Sequence, residues 1–251
     1  MGESDNHVGV ASALRRNVSA MLIAAGATVA VQLGTYFVAS VAMNSPVATV
    51  ITLLVSLLWI VIAAPVFAAG GRSALDGLIR GGTVVDASAV VLIVLVAGRA
   101  AIGTVGAIKI YLIWCSLTLA GCSLVLSGRN APSRHILAAL VVLLMLVVAA
   151  GPFWTNGIIM SVSAPWRERV GFVVRAINPV FATTECLAGA PTFIWNERPI
   201  LYEHTVLGRD VPVRAAAWYV TAGVYSIFAF AVGSTSAVRR WRRRRRSLQR
   251  E

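Results

Sequence analysis

Few residues inside the long apolar runs of this sequence could carry acid–base or ion-binding chemistry. Arg99 is the clearest ionisable residue within a run, whereas Asp86 and Lys109 are expected nearer the ends of theirs. An ionisable side chain inside a membrane is costly and often functional, so Arg99 is a candidate site, although its long side chain could instead reach the membrane surface. No acidic residue is expected at mid-depth, which argues against a proton or sodium relay.

Sequence motifs for nucleotide binding, hydrolysis and metal binding are absent. The chain contains no GxxxxGK(S/T), GxSxG, HExxH or CxxC pattern. Cys115 and Cys122 lie in one apolar run and Cys186 lies elsewhere, which fits neither a metal site nor a disulfide framework. The sequence therefore predicts no catalytic residue, no metal and no cofactor in this chain, and the chain is not expected to be an enzyme.

A second candidate site lies in the polar stretch 70–88, between two apolar runs. Its candidate coupling residues are Arg72, Ser73, Leu75, Asp76, Leu78, Ile79 and Arg80. The leucines and the isoleucine recur at helical spacing, and a serine three residues before an aspartate is typical of a helix start. Arg72 and Asp76 are four residues apart and are expected to pair weakly along the helix.

Glycines are expected to bound this short helix, and Gly81-Gly82 is expected to end it. We therefore predict a two-turn helix within 72–82 that lies flat on the cytosolic surface. Such a helix could pass a push from a soluble partner to the two spans that it joins. The alternative is that the stretch is only a connector.

Composition predicts an all-α polytopic membrane protein. Of the 251 residues, 58 % are hydrophobic and 13 % are charged, whereas soluble domains average roughly 25 % charged residues. Six apolar runs are long enough to span a bilayer as helices. They cover 18–43, 47–69, 84–103, 107–127, 135–154 and 215–238. The predicted organisation is a cytosolic segment 1–17, a six-span domain 18–238 and a basic tail 239–251.

The net charge of +12 comes mainly from arginines at the ends of the apolar runs. With both termini in the cytosol, the arginine-rich segments follow the positive-inside rule, and the inverse orientation fails. The tail 239–251 is expected to contact anionic lipid and not nucleic acid. We expect a multi-pass protein of a bacterial plasma (inner) membrane.

The outer loop 155–214 is predicted to contain two helices. The first is amphipathic and interfacial, with Trp166, Val170 and Val174 on its apolar face. The second opens at Asn178-Pro179, because asparagine suits an N-cap and proline suits the first helical position. These helices either cap the outer mouth of a pathway or simply pack across the outer face.

Three segments resemble the permease subunits of type-two ATP-binding-cassette (ABC) exporters. LDGLIRGGTVVDA at 75–87 is similar to the coupling-helix region, and SGRNAPSRHILAALVVLLMLVVAAGP at 127–152 is similar to the inner loop and fifth span. RAINPVFATTECLA at 175–188 resembles the Asn-Pro-led helix of the outer loop.

The resemblance implies six spans with both termini inside, a separate ABC-type ATPase subunit and a second permease copy. It further implies transport of an unspecified substrate by alternating access. The alternative is a non-transporting membrane scaffold or assembly factor that binds a partner through its outer loop.

Overall fold

The computed structural model describes residues 3–98, 100, 102–187 and 217–248, and its regular elements there are all α-helices. The long helices are α1 (Glu3–Ala42), α2 (Ser45–Ala69), α3 (Ala74–Ala97), α4 (Thr104–Leu126), α5 (Ala131–Ala149) and α10 (Trp218–Leu248). The short helices are α6 (Gly151–Trp154), α7 (Asn156–Ser161), α8 (Ala164–Ile177) and α9 (Pro179–Glu185). Six helices are long and apolar enough to cross a membrane, which confirms the predicted all-α polytopic fold.

The six long helices form two rows. The first row runs α1, α3, α4, α10, because each of these helices contacts the next. Behind it, α2 packs on α1, α3 and α4, while α5 packs on α2 and α4. The largest fully buried side chains come mostly from the central helices α2, α3 and α4, with Trp114, Leu53, Ile60 and Leu95 among them.

The two ends of the bundle differ in what connects the helices. We call one the basic end: it holds the turns 70–73 and 127–130, the start of α1 and the end of α10. We call the other the loop end: it holds the turn 43–44, the link between α3 and α4, and α6–α9. α1 runs unbroken through the predicted boundary between segment 1–17 and the first span.

The predicted two-turn helix ending at Gly81-Gly82 is wrong, because α3 continues from Ala74 to Ala97 without a break. Gly81 faces neighbouring helices closely: a Cβ there would lie 2.5 Å from Cys122 Sγ and 3.1 Å from the Ala64 carbonyl oxygen. Small residues allow membrane helices to approach one another. Gly81 therefore serves packing against α2 and α4, and the third span begins ten residues before its predicted start at 84.

The predicted fifth span, 135–154, is also too long at its end. α5 stops at Ala149, and a short α6 follows. Proline has no N–H to donate to the fourth carbonyl before it, so Pro152 leaves the Val148 carbonyl without its helical partner. The Asn178 side-chain amide donates to the carbonyl oxygens of Val148 and Ala149, at 3.0 and 3.1 Å. The helix end is thus completed by a residue of the predicted Asn-Pro motif.

Candidate functional site

The turn 70–73 at the basic end is held by a buried hydrogen-bond network. Asp76 is 3 % exposed. One carboxylate oxygen accepts from the Asn17 side-chain amide at 3.0 Å, and the other accepts from the Ser73 backbone N–H at 3.1 Å. The Ser73 hydroxyl in turn accepts from the Asp76 N–H at 3.0 Å. The predicted helix start at Ser73 and Asp76 is confirmed as a capping box.

Two arginines extend this network to the backbone of the turn. Arg80 donates through Nε to Asn17 Oδ1 at 2.6 Å and through a terminal nitrogen to the Gly70 carbonyl at 2.8 Å. Arg134, on α5, donates to the Gly71 carbonyl at 2.6 Å. We call Asn17, Asp76, Arg80 and Arg134 the basic-end cluster. It joins α1, fourteen residues after its first residue, to the end of α2 and the starts of α3 and α5.

The predicted coupling residues do not share one face. Arg72 and Ser73 are exposed and precede the first residue of α3. Leu75 and Leu78 are 42 % and 38 % exposed, whereas Ile79 and Arg80 are partly buried. Arg72 lies before the first residue of α3, so the prediction that Arg72 and Asp76 pair along one helix is wrong.

Asp86 lies at the middle of α3, a helix long and apolar enough to cross a membrane, whereas the sequence placed it near the inner end of its span. It is the thirteenth of the 24 residues of α3, so it stands about 18 Å along the helix axis from Ala74. A hydrocarbon core is about 30 Å thick. The side chain is exposed on the bundle surface. Its carboxylate accepts a hydrogen bond from the Tyr111 hydroxyl of α4 at 2.9 Å.

Asp86 and Tyr111 stand between two cavities in the groove between α3 and α4. The cavity toward the loop end has a volume of about 430 Å³, and its wall includes Leu92, Val96, Ala107 and Tyr111. The cavity toward the basic end has a volume of about 210 Å³ and is lined by Leu78, Gly82, Val85, Asp86, Cys115, Thr118, Leu119 and Cys122. The first wall is apolar apart from Thr104 and Tyr111. The groove thus combines apolar walls with one carboxylate.

Two other pairs of polar side chains join neighbouring helices away from the groove. Gln32 of α1 is fully buried and donates to the Ser88 hydroxyl of α3 at 2.8 Å. The Trp59 indole of α2 donates to the Thr28 hydroxyl of α1 at 2.9 Å. Interhelical hydrogen bonds of this kind hold membrane helices together. The Asp86–Tyr111 bond also joins two helices, but Asp86 differs from these residues in being exposed to the groove.

At the loop end, the junction of α8 and α9 is tied to the bundle. The predicted N-cap at Asn178 and first-position proline at Pro179 are confirmed, since Asn178 Oδ1 accepts from the Val180 N–H at 2.9 Å. Two residues of α10, Thr221 and Tyr225, donate to the last carbonyls of α8, each at 2.6 Å. The backbone of α9 approaches α4 so closely that a Cβ on Gly106 would collide with the Cys186 carbonyl.

The amphipathic helix α8 buries Gly171, Arg175 and Ala176 and leaves both apolar and charged side chains exposed. Trp166 of the predicted apolar face is exposed, and Val170 and Val174 are partly buried. Arg175 is 2 % exposed, and burial lowers the pKa of its guanidinium, an effect that Glu168 partly opposes. The exposed apolar stripe is what an interfacial helix presents to lipid, but no observation here tests that prediction.

Glu185, at the end of α9, is a partly buried acid near the start of α4. Burial raises the pKa of its carboxyl from the ordinary 4.5 to about 7, and the neighbouring charge of Lys109 opposes the rise. The candidate residue Arg99 lies outside the described residues, as do 188–216 and 249–251.

Sequence reasoning missed the partners that define both sites. Tyr111, Asn17 and Arg134 meet their partners across 25 to 63 residues of chain. A usable signal was present for Asp86: the Ser73 cap starts α3, and counting from it places Asp86 near the middle of that helix. Comparisons with protein-family models, curated proteins and solved structures gave no match.

Proposed function

We propose that this chain is the permease subunit of an ATP-driven, ABC-type transporter, with ATP hydrolysis in a separate subunit. The observation that supports the proposal is the basic-end cluster. It fastens the turn 70–73 to α1 and to the starts of α3 and α5. In this proposal the basic end faces the cytosol, where an ATPase subunit would meet it, in a bacterial plasma membrane.

The basic-end cluster is suited to transmit a displacement of the turn 70–73, because its hydrogen bonds hold the turn in place against the neighbouring helices. Hydrogen bonds that involve a charged group contribute about 1.5–3 kcal/mol each. Arg80 makes two such bonds, and Arg134 makes one to the Gly71 carbonyl. A partner that displaces Arg72 and Leu75 therefore moves α2 and α3 directly and pulls on α1 and α5.

Asp86 favours transport over the alternative of a scaffold. A charged side chain at the centre of a membrane costs about 2.5–3.5 kcal/mol on insertion scales. The buried Asp76 accepts hydrogen bonds from Asn17 of α1 and from the Ser73 backbone. Among the described residues, the exposed Asp86 has a hydrogen bond from Tyr111 of the adjacent helix alone. A scaffold that binds through its outer loop has no use for a carboxylate in this groove.

The coupling proposal is tested by purifying the full chain in mild detergent with its membrane partners. We expect a phosphate-loop ATPase and vanadate-sensitive ATP hydrolysis in the purified complex. Leu75→Asp and Arg72→Asp should lose both while the thermal unfolding midpoint is kept. Leu75 is the better apolar site, because Leu78 also lines the smaller cavity.

Arg129→Asp is the matched control, since Arg129 is an exposed arginine in the other turn of the basic end. Retention of the ATPase by both turn variants, or its equal loss in the control, would contradict coupling at 70–75. Function that survives Asp86→Asn but fails on disruption of the outer loop would favour the scaffold.

A second candidate is transport driven by a proton gradient, and the mid-depth position of Asp86 is what favours it. A carboxylate exposed to a membrane groove can bind and release a proton, so the absence of a carrier no longer argues against this mechanism. Transport by the chain alone in liposomes, abolished by a protonophore and by Asp86→Asn, would replace the ATPase proposal.

A further inference from the structure

We propose that the groove between α3 and α4 binds a bulky apolar organic cation. Its apolar body would occupy the cavity of about 430 Å³, and its positive charge would lie at Asp86. That such a cation is the transported substrate rests on the proposed transport function. That the groove binds it rests on the groove alone.

The carboxylate of Asp86 has room for a cationic partner. A carboxylate offers about four acceptor positions, and Tyr111 occupies one of them within the described residues. Because the side chain is exposed to the groove, the remaining positions face a low-dielectric space in which opposite charges attract strongly. The position therefore favours a positive charge and disfavours an anion.

The walls of the groove favour an organic cation over a metal ion. Metal ions such as Ca²⁺ and Mg²⁺ need about six oxygen ligands. Around Asp86, the cavity walls supply the Thr118 hydroxyl and otherwise apolar or sulfur-containing side chains. The larger cavity lies within the roughly 300–1,000 Å³ typical of ligand sites, which are mostly apolar with a few placed polar groups.

The depth of Asp86 argues against a lipid headgroup and against a second copy of the chain. A headgroup ammonium lies at the membrane surface, about 15 Å from the midplane. A second copy would need a basic side chain at mid-depth. In the six candidate spans of the described residues, the basic residues all lie within seven residues of a span end: Arg80, Lys109, Arg134 and Arg239. A small cation that partitions into the bilayer meets the requirement.

Two ions of the same shape and opposite charge test the assignment: tetraphenylphosphonium and tetraphenylborate. Their binding to the purified full chain in nanodiscs is measured by equilibrium dialysis, with binding to empty nanodiscs subtracted. We expect saturable binding of the phosphonium, weakened about tenfold or more by Asp86→Asn because the ion pair forms at low dielectric. The borate should bind weakly and should not lose affinity in the variant.

Cavity-filling variants test the location with the carboxylate intact. Ala89 lines the larger cavity one turn beyond Asp86, so Ala89→Trp should also abolish phosphonium binding. Ala30→Trp is the matched control, because Ala30 is exposed on α1 outside the groove, and Glu168→Gln controls for loss of an exposed acid. Both controls should bind as the parent does.

Phosphonium affinity unchanged by Asp86→Asn, or equal dependence of both ions on Asp86, would overturn the proposal. Binding of the phosphonium by Ala89→Trp with the parent's affinity would also overturn it. A parent chain that binds no phosphonium because a second copy covers the groove would overturn it as well. The assay needs no ATPase, so Leu75→Asp should bind the phosphonium normally. If the chain binds no phosphonium but still co-purifies with the ATPase, the proposed substrate class is rejected and the proposed function stands.

Discussion

Helix α3 carries two aspartates, ten residues apart, in opposite surroundings. Asp76 is 3 % exposed and accepts hydrogen bonds from Asn17 and Ser73. Asp86 is exposed, with Tyr111 as its hydrogen-bond partner among the described residues. At 100° per residue, ten residues rotate about 280° around a helix axis, so the two carboxylates lie on different faces.

The comparison separates a carboxylate that builds the fold from one that the fold leaves available. Asp76 starts a helix, fixes Asn17 and closes a network that joins α1 to α3. Asp86 joins two helices that are already adjacent, and its removal leaves only the Tyr111 hydroxyl, at the edge of a groove, to be satisfied. Burial and satisfied hydrogen bonds give Asp76 a structural role, whereas the exposed Asp86 in the middle of α3 is the residue to which we assign a function by proposal.

The largest expected difference is in stability. Asp76→Ala removes a helix cap, worth about 1 kcal/mol, and leaves buried donors unpaired, which costs about 1–3 kcal/mol more. We therefore expect a loss of about 3 kcal/mol in the free energy of unfolding, whereas Asp86→Ala should lose less than about 1 kcal/mol. Unfolding in mixed detergent and denaturant measures both. Equal destabilisation would end the distinction between the two residues.

A smaller difference in stability, between Gly81→Ala and Gly82→Ala, tests whether α3 is continuous. The position of Asp86 at the middle of the helix depends on that continuity. A Cβ on Gly82 meets no atom within 4 Å, whereas one on Gly81 would collide with Cys122 Sγ. In an unbroken helix, Gly82→Ala should stabilise by up to about 1 kcal/mol, because alanine has the higher helix propensity. Gly81→Ala should destabilise by about 1–3 kcal/mol through overpacking.

The same unfolding assay measures this pair, and the sign of the Gly82 effect is decisive. If the helix ended at these glycines, as the sequence predicted, alanine at 82 would destabilise. Asp86 would then lie nearer the membrane surface, and the comparison with Asp76 would lose its meaning.

The sequence predicted those features that neighbouring residues determine. The lengths of the apolar runs predict six spans, because the thickness of a bilayer determines how long an apolar helix must be to cross it. Ser73 with Asp76, and Asn178 with Pro179, are caps whose partners lie within three residues. Each was confirmed, since local hydrogen bonding decides it.

Features that depend on distant residues were not predictable in the same way. Whether Gly81 ends a helix or lets two helices meet depends on Ala64 and Cys122, which no local pattern identifies. The misplaced helix end shifted the third span, and Asp86 was therefore placed near the start of its helix instead of at the middle. The Asn17–Arg80 contact, 63 residues apart, likewise required the fold.

Glu185 offers the smallest effect and an intermediate case between the two aspartates, since it is partly buried at the loop end. Burial raises the pKa of Glu185 to about 7 in the folded chain, against an ordinary 4.5. Between these pH values the folded chain holds a proton that the unfolded chain has released, so stability should fall as pH rises from about 4.5 to 7 and level off above.

Glu185→Gln should remove that slope and leave the variant more stable than the parent at pH 8, with the two converging near pH 4.5. Thermal unfolding midpoints from pH 5 to 8 measure it, and Glu168→Gln, at an exposed acid of α8, should keep the parent's slope. A parent whose midpoint does not change over this range would show that Glu185 is solvated. Its partial burial would then not distinguish Glu185 from an ordinary surface acid, and the contrast between Asp76 and Asp86 would stand alone.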